Sequence, residues 1–358
     1  MTAHAATGSH LFESGPSLRA SIDARRAALV AAVAAVGVAA LVTTLPGAYS
    51  AVTDAAGRLG EADTGWLGVA LGLEALSFLG YILLFRAVFV GRSGRMGYAR
   101  SYDITMAGHA ATRLLGAAGA GGIALTVWAL KREGMSGREV ATRMLGFMVL
   151  LYGVFVLAVA VTGLGLWSGV LPGGGSAALT LVPAAVAAAL AAGAVAAGVL
   201  VRRRPAGAPA ASELSGARGR LAGAARAVGD GVREAAGVVA RRDPRLAGAL
   251  MWWAFDIGVL WASFHAFGAA PPVAVVVLAY FLGQLGNSLP FVGSVGGVDG
   301  GLIAAFVAFG VNPAATVVAV IVYRLFSCWG PTVPGAFAFA RLRRAPAERA
   351  LAPRPALA

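Results

Sequence analysis

Leu289-Pro290-Phe291-Val292-Gly293-Ser294-Val295-Gly296-Gly297-Val298-Asp299-Gly300-Gly301 lies between two long apolar runs, Pro272–Ser288 and Pro313–Ala340. Proline and clustered glycines break helices, and a carboxylate is costly in hydrocarbon. A bilayer tolerates irregular backbone only where protein buries it or where it lines a wet cavity. The stretch therefore reads as a broken membrane segment with an ionisable residue at the break. In transporters that combination marks a substrate path.

Composition agrees. The 358 residues are 58% hydrophobic and 13% charged, with mean hydropathy +0.77, which excludes an ordinary soluble domain. Several apolar runs approach or exceed the roughly 20 residues that a helix needs to cross a bilayer. The expected fold is an all-α polytopic membrane protein of about seven to eight spans. The net charge of +13 is concentrated between apolar runs, in Arg92–Arg100, Lys131–Arg143, Arg202–Arg245 and Arg341–Arg344. Such blocks orient spans by the positive-inside rule and contact anionic lipid head groups, so nucleic acid is not expected. Cys328 is the only cysteine, so no intrachain disulfide can form. His4, His10, His109 and His265 are scattered, and neither a metal site nor a cofactor is expected.

The chain divides on this reading into five parts. Residues 1–26 form a polar, unstructured cytoplasmic tail, and Ala27–Leu45 reads as an uncleaved first span rather than a signal peptide. Residues 27–201 make a first membrane half, with spans at Trp66–Val90, Met144–Trp167 and Leu179–Val201. Within it, basic residues flank the apolar segment 104–130 on both sides, so a re-entrant hairpin turning at Gly116, Gly119, Gly121 and Gly122 is expected. Residues 202–245 form a basic cytoplasmic linker that reads as an amphipathic helix on the membrane surface. Residues 246–342 make the second half, with the broken segment 289–311, and 343–358 a cytoplasmic tail.

The two unusual segments resemble each other. Gly119-Ala120-Gly121-Gly122 precedes Glu133-Gly134-Met135-Ser136, as Ser294-Val295-Gly296-Gly297 precedes Phe309-Gly310-Val311-Asn312. From the second glycine of each pair to the later glycine is 12 residues in one and 13 in the other. Ser136 and Asn312 are both suited to cap the following helix. Paired broken segments in two halves point to an internal repeat with the site between them.

The order Arg242-Asp243-Pro244-Arg245, Trp252-Trp253, Asp256, Leu289-Pro290, Gly293, Gly296-Gly297, Asp299, Gly310-Val311, Tyr323-Arg324 and Trp329 resembles the lysylphosphatidylglycerol synthase transmembrane region family. The resemblance spans roughly 27–342 and is strongest over Leu285–Trp329. It implies the lipid-handling membrane unit, flippase-like, in the cytoplasmic (inner) membrane of a bacterium. Residues 1–358 hold no soluble aminoacyl-transfer domain, so synthetic activity is not expected. The family pattern carries Pro-Gly-Gly-x-Gly and then Glu where this chain has Pro290 to Asp299. The first-half segment Leu115–Gly122 lacks the family's Pro and Gly-Glu pair, so an asymmetric site is expected.

Candidate substrate-binding residues follow. Asp299 stands beside the break, and Arg324, deep in its apolar run, should meet Asp299 or a lipid phosphate. Arg113 and His109 share a helical face and could receive a phosphate. Gln284 and Asn287 precede the break, Pro290, Gly293, Gly296 and Gly297 form it, and Tyr323 adjoins Arg324. Glu74 and Asp256 sit within spans and are expected to pair inside the bundle. Trp252 and Trp253 suit an interfacial aromatic belt. The expected function is binding and translocation of an anionic phospholipid or lipid-linked amphiphile. The expected partners are lipid, a second copy or a lipid-modifying enzyme. The rival readings are a non-transporting partner subunit of a cell-envelope lipid enzyme and a membrane transferase acting on lipid phosphates. Isolated acids with no dense cluster of carboxylates argue against the transferase.

Overall fold

In hydrocarbon a backbone N–H or C=O finds a reliable partner within its own helix, so the apolar runs become long helices. The computed structural model describes residues 57, 59–91, 94, 96–115, 120–202, 216–268, 270–285 and 297–344. All secondary structure among them is helical. The expected first span Ala27–Leu45, the tails 1–26 and 345–358, and the turn residues Gly116 and Gly119 lie outside the described residues, as do Asn287, Pro290, Gly293 and Gly296. Five helices are long and apolar enough to cross a membrane: Thr64–Val90, Gly137–Trp167, Leu181–Leu200, Pro244–His265 and Pro313–Arg344. The chain is a polytopic, all-helical membrane protein.

In chain order, α1 is Thr64–Phe85 and runs on into a π-turn, Arg86–Val90. Next come α2 (Tyr98–Leu115), α3 (Ala120–Arg132), α4 (Gly137–Trp167), α5 (Leu181–Arg202) and α6 (Gly216–Ala240). A 3-10 turn, Pro244–Ala247, leads into α7 (Gly248–His265), followed by α8 (Val273–Gln284) and α9 (Gly297–Ala308). α10 (Pro313–Arg324) passes through a second π-turn, Leu325–Trp329, into α11 (Gly330–Arg344).

Polar contacts define two ends of the bundle. At one, Arg245 donates to Gly91 O at 2.9 Å, Arg143 to Phe89 O at 2.6 Å, and Arg100 pairs with Glu133 at 2.6 Å. Arg341 pairs with Asp103 at this same arginine-rich end. At the far end, Asp63 N–H donates to Ala266 O at 2.9 Å, and Gly173 packs against Pro272 and Val275. The long helices run from one end to the other. The α2–α3 pair does not: it starts and finishes at the arginine-rich end, where Arg100 of α2 meets Glu133 just after α3. α8 and α9 are 12 residues each, about 18 Å, short of a hydrocarbon core of roughly 30 Å. That pair starts and finishes at the far end, where Phe309 meets Gly175. The apolar run Pro272–Ser288, which reads as a span, is therefore one limb of a short pair. The Arg341–Arg344 end lies with the other arginines, as its charge requires.

The connections after the two pairs are the same structure. Glu133, Gly134 and Met135 N–H groups bond to Ala129/Leu130, Lys131 and Leu130 carbonyls. Phe309, Gly310 and Val311 bond in the same way to Ala305/Phe306, Val307 and Phe306, each residue 176 positions on, as Gly310 is from Gly134. Gly134 and Gly310 take φ of 87° and 80°, a region costly for other residues. Ser136 and Asn312 then cap α4 and α10, accepting from Glu139 and Ala315 N–H groups, as their side chains predict. In this register Gly297 matches Gly121, one residue from the pairing of second glycines that the sequence suggests. The first helix of each set is also capped alike: Asp63 accepts from Gly65 N–H and Asp243 from Arg245 N–H.

α1 and α7 pack antiparallel, with Gly80 against Gly248 and Leu73 against Gly258. Small residues let membrane helices approach to backbone contact. Ser77 Oγ, donating to Trp252 O at 2.9 Å, adds a hydrogen bond across the seam. The linker forms a helix, α6, as its pattern predicts. Its small and apolar positions Gly231 and Val232 pack on Leu145 of α4 and Gly198 of α5, so part of its apolar face is turned to protein.

A Cβ on Gly248 would stand 2.2 Å from Gly80 O and 2.8 Å from Leu84 N. Gly248→Leu is expected to destabilise the protein by about 1–3 kcal/mol, as overpacking does. Gly68→Leu, on the same helix as Gly80 but facing open space, should be neutral. Thermal unfolding in mild detergent checks both, and equal midpoints for the two variants would contradict a tight seam.

Candidate functional site

α7 carries Asp256 into the bundle interior, where it is 7% exposed. Its Oδ2 accepts a hydrogen bond from the Tyr280 hydroxyl of α8 and one from the Tyr323 hydroxyl of α10, the latter at 3.0 Å. Both tyrosines are buried, so three helices converge on one carboxylate. Phenol O–H donors replace the water that the acid loses, as a buried charge requires.

A cavity of about 230 Å³ opens beside Asp256. Its walls include Tyr81, Phe85, Phe147, Tyr152, Trp252 and Trp253. α2 and α3 contribute Thr105, His109, Thr112 and Thr126, and α8 contributes Tyr280 and Gln284. Glycines bring the α2–α3 pair together here: Gly108 and Gly122 approach with Thr112 between them. Trp253 is fixed by its indole N–H, which donates to Leu151 O at 2.7 Å. His109 stands edge-on to Phe78 and Trp252, with ring centroids 4.9 and 5.8 Å away. Among the described residues the lining combines one carboxylate, several π faces and neutral hydroxyls, and no Arg or Lys is among them. Such a surface attracts cations.

The structure separates the residues expected from sequence. His109 and Gln284 line the cavity, and Tyr323 reaches it through Asp256. Asp299, in the first turn of α9, and Arg324, at the end of α10, form an ion pair at 2.6 Å with 25% and 8% side-chain exposure. They meet each other, as one of the two expectations for Arg324 has it, and neither lines the cavity. Gly297 is buried at the start of α9. Arg113 follows the cavity residue Thr112 on α2, and its side chain lies outside the described residues. Asn287, Pro290, Gly293 and Gly296 lie outside them altogether.

Sequence reasoning missed the centre of the site. Asp256 is paired within the bundle as expected, yet it also faces the cavity. Trp252 and Trp253 are not a belt at the membrane surface. They are cavity walls, and Trp253 is 8% exposed. Tyr280 sits in an apolar run, where a lone phenol in hydrocarbon signals a buried acceptor. Glu74, on α1, is likewise buried, at 5% exposed.

Asp256→Ala would leave two buried phenol hydroxyls without their shared acceptor. The expected loss of stability is about 1–3 kcal/mol, with Tyr323→Phe costing less because Asp256 keeps its bond from Tyr280. Detergent unfolding followed by tryptophan fluorescence measures this, and an unchanged Asp256→Ala protein would refute the shared bond.

Comparison with known proteins agrees with this architecture. Over 91 residues the chain is 33% identical to a UPF0104 membrane protein of Methanothermobacter thermautotrophicus, which covers 25% of this chain and 26% of that protein. The match thus spans about a quarter of the relative's length. A family model described as the lysylphosphatidylglycerol synthase TM region matches residues 27–335, most of the sequence and all the helices that build the cavity. The chain belongs to that family.

Proposed function

We propose that this protein binds a phospholipid or related lipid-linked amphiphile and moves it between leaflets. The observation that carries the proposal is the cavity at Asp256, a buried carboxylate among aromatic faces in the interior of a membrane bundle. At about 230 Å³ it is smaller than pockets that enclose drug-sized ligands, roughly 300–1,000 Å³. It suits a polar head group whose acyl chains remain in the bilayer. An ammonium on that head group is attracted by Asp256 and by the faces of Trp252 and Trp253. The phosphate is carried beside it.

The architecture fits this role. In our reading α2–α3 and α8–α9 are re-entrant pairs of an internal repeat with inverted topology, entering from opposite faces. The matched connections 176 residues apart, and the return of each pair to its own end, support it. The arginine-rich end then faces the cytoplasm by the positive-inside rule. Transporters of this plan place their site where the broken segments meet. Here the first pair and α8 both contribute to the cavity wall. The protein acts in this scheme as a carrier in the cytoplasmic membrane rather than as an enzyme.

Purified protein in liposomes with fluorescent phospholipids in one leaflet tests the proposal. Wild type should equilibrate a lipid bearing an ammonium head group. Asp256→Asn and Trp253→Leu should each slow it about tenfold or more, since a desolvated cation–π or charge contact contributes about 2 kcal/mol. Movement that ignores both substitutions would remove the cavity from the path. No movement of any lipid would favour a non-transporting partner subunit.

A further inference from the structure

The arginine-rich end holds a second cluster that the cavity does not use. α2 packs against both α3 and α11, and those two helices are tied at their ends by Arg132, which donates to Leu342 O at 3.3 Å. Arg132 lies over the Trp128 ring at 4.8 Å, and Arg343 over the Phe339 ring at 5.8 Å. Trp128 and Phe339 are 39% and 37% exposed. The acids in this cluster among the described residues, Glu133 and Asp103, are engaged with Arg100 and Arg341. Lys131, Arg343 and Arg344 are exposed and add positive charge beyond those pairs.

We propose that this place, between the ends of α3 and α11, is a binding site for an anionic phospholipid, distinct from the transport cavity. Charge complementarity names the occupant. A phosphate diester with no compensating ammonium meets Lys131, Arg343 and Arg344, while its acyl chains lie along Trp128 and Phe339. Of these, Arg343 is held ready by its stacking on Phe339, so little of its side-chain entropy is lost when the phosphate arrives. A free phosphate ester would use only the charges, whereas the exposed rings require an amphiphile. The site anchors a resident lipid and lies apart from Asp256.

Native mass spectrometry of the full chain in mild detergent tests this without any transport. The probes are phosphatidylglycerol, phosphatidylcholine and glycerol 3-phosphate. Wild type should retain phosphatidylglycerol and not phosphatidylcholine, and glycerol 3-phosphate should not displace the lipid. The Lys131→Ala/Arg343→Ala/Arg344→Ala protein should bind it about a hundredfold more weakly, from about one kcal/mol per basic residue at an anionic interface. Lys131→Arg/Arg343→Lys/Arg344→Lys should keep it, which separates charge from folding. Asp256→Asn should also keep it. Equal retention by the alanine variant, equal binding of phosphatidylcholine, displacement by glycerol 3-phosphate, or loss of the lipid in Asp256→Asn would each overturn the proposal. The transport reading stands or falls separately, on the liposome assay.

Discussion

A carboxylate in the interior of a membrane protein has to be answered by donors, and Asp256 is answered by two phenols from two other helices. That requirement organises the second half of the chain. α7, α8 and α10 must come within hydrogen-bond reach of one oxygen, which fixes their rotation about their own axes. Because Tyr323 is committed to Asp256, its neighbour Arg324 projects about 100° further round α10 and meets Asp299 on α9. Two consecutive residues thus tie α10 to α7 and α9, and Tyr280 adds α8 through the same carboxylate. The π-turn Leu325–Trp329 follows at once, and the extra residue that such a turn inserts sets the register of α11 relative to α10.

A second constraint comes from carbonyl groups at helix ends. α1 finishes in a π-turn and then in Gly91 at φ 67°, which leaves the Phe89 and Gly91 carbonyls outside the regular ladder. Arg143 of α4 and Arg245 before α7 donate to them. Positive side chains at a helix C-terminus also favour the helix dipole. Arg86 adds two bonds at the same end, to Met96 O at 2.9 Å and Ser101 Oγ at 2.8 Å. Some arginines that look like topology signals therefore also join helices, and removing one would cost packing as well as orientation.

Local signals made much of this legible in advance. Ser136 and Asn312 read as caps because a short polar side chain before an apolar run has one common use. The flanking charges of 104–130 revealed a segment that returns to its starting end, and Arg324 so deep in an apolar run demanded a partner such as Asp299. What escaped depends on contacts distant in sequence. Asp256 and Tyr323 are 67 residues apart, and Trp253 and Leu151 are 102 apart. No periodicity tells an interfacial tryptophan from one lining a cavity. Run length misled at Pro272–Ser288, where hydropathy was sufficient for a span but the helix is 12 residues long. The register of the two connections was off by one because adjacent glycines are interchangeable in sequence, and only the hydrogen bonds choose between them.

The two connections match, yet the walls of the cavity differ, and packing supplies the reason. The caps Asp63 and Asp243 set the register between α1 and the turn leading into α7. By the 176-residue offset of the connections, the position of Asp256 corresponds to Gly80 on α1, where a Cβ would meet the Gly248 backbone; by the 180-residue offset of the caps, it corresponds to Leu76. Leu76 is 40% exposed in the middle of a span, where a carboxylate would meet lipid with no donors at hand. Asp256 at its own position meets Tyr280 and Tyr323 instead. The first half therefore contributes to the cavity what it can hold without penalty: the hydroxyls of Thr105, Thr112 and Thr126 and the close-packed glycines of α2 and α3. The cavity therefore has an acid on its α7 wall and neutral hydroxyls on the wall of the first pair, and each wall carries what its own packing can hold.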